Sequence, residues 1–266
     1  VATLSAITHI GCKPVFCDIN EDYNINTNEI EKLINKNTVA IVAVHLNGRS
    51  CEMRKIKSLC TKYKLHLVED AAQSFGAMHS GKKVGTFGIA GSFSLHPLKS
   101  LSGAGDGGFI STNNSKIAKY IYRLRNHGQK SRTNIAHFGF NSRLDNLQAA
   151  LVNIKFRKFN SDIIKRRNIA RKYLKELSGL PIVLPQFDGK ANFDTFNSFV
   201  IRTNKQKKLF DYLTRKKIEV FINWPKPLHK QKGLKLNLNK KIPITVKFCK
   251  EMISLPIFPE MKKNQL

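Results

Sequence analysis

The chain has 266 residues, 41% hydrophobic and 24% charged, with a formal net charge of +28. That length and apolar content supply a sizeable core, while the absence of any run of about eighteen apolar residues excludes a membrane-crossing apolar helix. The excess of Lys and Arg invites a nucleic-acid partner, but it recurs in nearly every predicted helix (Lys155–Lys158, Lys165–Arg167, Arg171–Lys172, Lys205–Lys208, Arg215–Lys217) without a helix-turn-helix, zinc knuckle or aromatic-interleaved strand. It reads as solvated surface that also attracts anionic substrates, with neither a nucleic-acid nor a membrane partner.

Short apolar runs at Pro14–Asp18, Val39–Val44, Leu65–Val68, Gly91–Leu95 and Gly108–Ser111 read as strands, and they alternate with helical patterns at Thr27–Asn35 and Met53–Tyr63. Such alternation predicts an α/β fold with a mainly parallel sheet. A long helical pattern from Leu147 to Leu177 follows, with an interrupted apolar stripe that includes Leu151, Phe159, Ile163 and Ile169. Beyond it, Ser198–Arg202 and Ile218–Ile222 read as strands around a helix from Gln206 to Lys216, and Asn223–Lys241 as a Pro- and Lys-rich loop. The expected division is a large domain over residues 1–146, with the linking helix and a smaller α+β domain over 147–266. Five cysteines lack any C-x-x-C pair or metal-ligand spacing, which predicts free thiols in a reducing cytoplasm and no metal site.

Chemistry concentrates around Lys99. Phe93, Leu95, Pro97 and Leu98 surround it with apolar groups, and a glycine-rich turn, Gly103-Ala-Gly-Asp-Gly-Gly108, follows. Desolvation disfavours the ammonium, and a neutral amine is the nucleophile that forms Schiff bases with carbonyl compounds such as pyridoxal phosphate. Taken alone, Lys-Ser after an apolar run is more often the frayed end of a strand. Upstream, the run Leu65–Gly76 ends a buried strand in Asp70, followed by small residues and Gln73. In an open α/β sheet ligands collect at that carboxyl end. A pyridoxal ring needs an acid at its nitrogen, a donor to its phenolic oxygen and an anion site for its phosphate, which Asp70, Gln73 and Ser94 fit; the bland alternative for Asp70 is a helix N-cap.

The runs Val68-Glu-Asp-Ala-Ala-Gln-Ser-Phe-Gly-Ala77, Gly85-Thr-Phe-Gly88, Phe93-Ser-Leu-His-Pro-Leu-Lys99 and Gly105-Asp-Gly-Gly-Phe-Ile-Ser-Thr-Asn113 occur in the order and spacing of a known family. With Ala2-Thr-Leu-Ser-Ala-Ile7, Val44-His-Leu-Asn-Gly48, Gly139-Phe-Asn-Ser-Arg-Leu144 and Trp224-Pro-Lys-Pro-Leu-His229, the chain resembles the DegT/StrS-type sugar aminotransferases. The resemblance implies the type I fold of pyridoxal-phosphate-dependent transferases and a cytoplasmic homodimer. It also implies a reaction in which a nucleotide-linked keto sugar becomes an amino sugar, with an amino acid, glutamate in this family, as donor. Lys99 then carries the cofactor, Asp70 meets the ring nitrogen, Gln73 the ring hydroxyl and Ser94 the phosphate. Asn141 reaches the phosphate from the other subunit. His96, Trp224 and His229 face the substrate; from the residues themselves, His96 reads equally as a strand histidine bonded to a backbone carbonyl, and Trp224 as the anchor of a Pro-rich turn. Relatives that are dehydratases carry histidine in place of the lysine, so Lys99 favours transamination. The family pattern also includes an upstream Gly-Thr phosphate cradle and a stacking aromatic, so the sequence reads as an N-terminally truncated member, cut again after Pro259-Glu-Met-Lys262. The alternative reading is a catalytically inactive fragment or remnant that serves as a dimerisation or binding module.

Overall fold

The computed structural model describes residues 1–188, 191–234, 241–262 and 265. Four strands form the main sheet in sequence order: β1 (Ala40–Val44), β2 (His66–Asp70), β3 (Ala90–Ser94) and β4 (Gly108–Ser111). The first three are parallel, with Val44 opposite Asp70 and Asp70 opposite Ser92; β4 returns antiparallel, Ser94 opposite Gly108. A helical crossover joins β1 to β2, and a long connection without a helix, residues 71–89, joins β2 to β3. The antiparallel edge comes after the glycine-rich return that follows Lys99.

The helix α1 (Ala2–His9) opens the chain, and α2 (Met53–Lys62) connects β1 to β2. Met53, Ile56 and Cys60 recur at helical spacing on α2 and pack with Ile41, Ala43 and Leu67 of the sheet. After β4 come α3 (Ser115–Leu124), capped by the Asn114 side chain on the Lys116 and Ile117 amides, and α4 (Asn146–Glu176). At 31 residues α4 is about 46 Å long. It joins two cores: Phe159 and Ile163 pack with Leu95 and Leu101 beside the sheet, while Ala170 packs with Phe196, Phe199 and Ile253. That second core is built on β5 (Phe199–Arg202) and β6 (Met252–Leu255), an antiparallel pair with Phe199 opposite Leu255, flanked by α5 (Gln206–Arg215) and α6 (Pro243–Cys249). No described helix is long and apolar enough to cross a membrane. None of the five cysteines is in a disulfide.

Two expected strands do not form. Pro14–Asp18 forms no strand; its last residue instead ties the segment to a distant helix. Asp18 accepts hydrogen bonds from the Ile244 and Thr245 amides at 2.9 Å each and from the Thr245 hydroxyl at 2.6 Å, so it caps the start of α6 from a distant part of the chain. Burial opposes its charge, but these bonds prevail and hold the Asp18 carboxyl below the usual range. In Ile218–Ile222 the first residue closes α5, Ile218 N–H donating to the Leu213 carbonyl, and only Phe221 reaches a strand, bridging to Ser254. The partner of β5 is β6 instead. Part of the expected loop Asn223–Lys241 lies outside the described residues; the rest holds short 3-10 turns at Leu228–Lys230 and Lys232–Leu234.

Candidate active site

Side chains alternate across a strand, so the adjacent acids that end β2 face opposite ways. Glu69 is fully buried and accepts backbone hydrogen bonds from Gly85 and Phe87 at 2.6 Å and from Gly88 at 2.7 Å, together with one from His45 Nε2 at 3.2 Å. His45 Nδ1 accepts from the Cys51 amide, which leaves the ring proton on Nε2 to be donated. Burial works against the Glu69 charge, yet the bonds from His45, Gly88 and Gly85 outweigh it and hold the carboxyl below its ordinary value. The Gly85-Thr-Phe-Gly88 motif is therefore a nest of amides around a buried anion. Gly85 must be glycine there: its φ is +80°, and a Cβ would lie 2.2 Å from the Phe93 ring.

Asp70 points the other way, at the carboxyl edge of the sheet. Its Oδ2 accepts from the Thr3 hydroxyl at 2.6 Å and its Oδ1 from the Ala72 amide at 3.1 Å, while its carbonyl accepts from the His45 amide. No helix follows it, so the N-cap alternative is replaced by a local Asx turn. Gln73, on the same turn, accepts at Oε1 from the Asn47 amide at 3.1 Å, so its NH₂ end is left to donate outward. Lys99 lies in the loop after β3, half-buried, its amide bonded to the His96 carbonyl. Burial pushes the Lys99 ammonium down, partly opposed by the negative charge of Asp70 nearby. Asn197 Oδ1 accepts from both the amide and the hydroxyl of Ser100 and so fixes the loop next to the lysine. Gln148 of α4 takes the Ala104 amide and fixes the glycine-rich return.

Ser94 closes β3, its hydroxyl oxygen accepting from the His96 amide at 3.2 Å. His96 is half-buried, and its Nδ1 accepts from the Leu98 amide, a turn contact in place of the carbonyl bond expected for a strand histidine. Asp70, Gln73, Ser94, His96 and Lys99 thus all sit at or just beyond the carboxyl ends of β2 and β3. Trp224, half-buried, packs against the cluster of Tyr23, Val200, Phe248 and Met252. His229 lies near Asp18 and Lys230; burial and the Lys230 charge lower its pKa, with Asp18 opposing, and its Nδ1 is buried without a partner among the described residues. Asn141 is exposed, accepting from Arg143 Nε on the loop between α3 and α4.

Thr3, His45, Glu69, Asn47 and Asn197 escape the sequence reading. Alternation on β2 was a usable signal for Glu69, since one of two adjacent acids on a buried strand must face inward. Asn47 was marked only by its strained setting: at φ +60°, its side-chain nitrogen and oxygen are both buried without partners.

The donor set suits a pyridoxal group: an amine with depressed basicity, a carboxylate held by two donors, an outward amide NH₂ and a hydroxyl at a strand end. The model of the DegT/DnrJ/EryC1/StrS aminotransferase family matches residues 1–266. The chain belongs to this family. Among its relatives is the dTDP-3-amino-3,6-dideoxy-α-D-galactopyranose transaminase of Aneurinibacillus thermoaerophilus, 39% identical over 269 residues that cover 100% of this chain and 73% of that one. The crystal structure of Streptomyces venezuelae DesV with a ketimine intermediate superposes with a TM-score of 0.95 at 32% identity, covering 99% of this chain and 72% of the other. NtdA of Bacillus subtilis, with bound cofactor PMP, gives 0.91 at 27% identity over 99% and 62%. DegT/DnrJ/EryC1/StrS aminotransferases are pyridoxal-phosphate-dependent enzymes of type I fold, and this chain is one of them in family, fold and cofactor class.

Proposed function

We propose that this protein aminates a nucleotide-linked keto sugar in the cytoplasm, with glutamate as donor, as a homodimer whose copies complete each other's site. The observation that carries the reading is Lys99, half-buried and depressed in basicity, facing the charge of Asp70 at the carboxyl edge of parallel strands. Bound pyridoxal phosphate supplies an electron-withdrawing ring and a carbonyl that carries the amino group from donor to acceptor. Asp70 sets its carboxylate against the ring nitrogen. Gln73 donates its outward NH₂ to the ring hydroxyl, and Ser94 its hydroxyl to the phosphate. Lys99 holds the cofactor at rest and, once displaced by the donor, moves a proton to and from the reacting carbon as general base and acid. His96, Trp224 and His229 border the sugar. Asn141 reaches the phosphate of a second copy, and the surface around it supports this: Phe138 is fully exposed, and Ile135 and Phe140 of the same loop and Tyr120, whose ring meets His137, are at least half exposed.

Two measurements test the reading. Pyridoxal phosphate followed by borohydride should leave a pyridoxyl group on Lys99; adducts spread over surface lysines and unchanged in Lys99→Ala overturn the assignment. Incubation with cofactor, glutamate and nucleotide-linked keto sugars should yield amino sugar and 2-oxoglutarate in equal amounts with ping-pong kinetics. Release of 2-oxoglutarate that no keto sugar accelerates overturns the acceptor.

A further inference from the structure

We propose that Thr3 is a positioning residue for Asp70: from the first turn of α1 its hydroxyl fixes the rotation of the carboxylate that meets the cofactor ring nitrogen. The inference rests on the role assigned to Asp70. An aspartate carboxyl turns easily about its last torsion, whose preference is broad, so one contact leaves its plane loosely set. Here each oxygen has a donor of its own. Oδ1 takes the Ala72 amide two residues on, a contact available to any aspartate in such a turn, whereas Oδ2 takes Thr3 Oγ1 at 2.6 Å across 67 residues of sequence.

The donor is also suited to aiming. Within a helix threonine keeps to two χ1 rotamers, so its hydroxyl has few directions to take from the backbone of α1. Thr3 lies in the first turn of α1, where no helical carbonyl stands one turn back to draw its hydroxyl, and that hydroxyl goes to the sheet edge. The length of the contact is that of a charge-assisted bond, the class in which geometry is held most firmly. The carboxylate plane is therefore set jointly by α1 and by the turn after β2, and the ring nitrogen meets a pre-aimed oxygen.

The test compares Thr3→Val, which keeps the shape and removes the donor, with Thr3→Ser, which keeps the donor, each alone and with Asp70→Asn. The readouts are the dissociation constant of pyridoxal phosphate, the absorbance maximum of the bound cofactor and the pH at which that absorbance changes. Thr3→Val should weaken binding by about 10-fold to 100-fold, the value of a hydrogen bond to a charged group, and shift the absorbance transition. Thr3→Ser should restore both, and on the Asp70→Asn background Thr3→Val should add less than about twofold. Should Thr3→Val unfold, Thr3→Ala carries the same comparisons. An unmoved absorbance transition, or effects of Thr3→Val and Asp70→Asn that simply add, overturns the proposal. Asp70→Asn without effect on binding or absorbance overturns instead the assignment of Asp70.

Discussion

Glu69→Gln isolates the buried anion beneath the candidate site. The carboxylate satisfies four donors, Gly85 N and His45 Nε2 on one oxygen and Phe87 N and Gly88 N on the other, at no exposure to solvent. Glutamine keeps one oxygen and presents an NH₂ to the other pair, so in either orientation two donors face a donor. Each buried donor left unpaired costs about 1–3 kcal/mol, giving about 2–6 kcal/mol in total. That is a large share of the roughly 5–15 kcal/mol by which proteins are stable. At about 2–4 °C per kcal/mol for a chain of this size, the melting temperature should fall by about 10 °C at pH 7. The pH dependence has a definite sign. Because the folded carboxyl is held below its unfolded value of about 4.3, its contribution is complete above that pH and is lost as pH falls through the lower folded value. Calorimetry from pH 7 into the acid range should therefore show the gap between wild type and Glu69→Gln closing below about pH 4. A fall of less than about 2 °C at pH 7, or a gap that stays constant into acid, would refute the reasoning.

Asp70→Asn should weaken pyridoxal phosphate binding at least as much as Thr3→Val does, and at saturating cofactor turnover should fall by about 10²–10³, the scale of losing a preorganised electrostatic partner; near-normal kcat would leave the carboxylate as no more than the holder of the Ala72 turn. Asp18→Ala removes three acceptor contacts at the start of α6 and should cost about 1–3 kcal/mol, read as faster amide exchange in α6 and β6; unchanged protection there would show that α6 caps itself. Phe138→Asp places a charge in the exposed apolar surface beside Asn141 and should shift the species seen in sedimentation from dimer to monomer. A dimer that persists at low concentration would move the interface elsewhere.

Local pattern was enough for much of this protein. β2 is legible because an apolar run of strand length ends in acids and small residues, α2 and α4 because their apolar positions recur at helical spacing, and Lys99, Asp70 and Gln73 because their chemistry is uncommon beside apolar runs. Motif order adds the family. What escaped was settled by contacts between residues far apart in sequence. Pro14–Asp18 has the composition of a strand, but it joins no sheet, and its last carboxylate finds its donors 226 and 227 residues away at Ile244 and Thr245. Ile218–Ile222 has the composition of a strand, but one end closes α5 and the edge of β5 is taken by Met252–Leu255. Thr3 is an ordinary helical threonine until α1 is laid against the end of β2, 67 residues on. Glu69 and Asp70 are neighbouring acids in the sequence, and only the sheet, by burying one face and opening the other, makes one a structural anion and the other a candidate for chemistry.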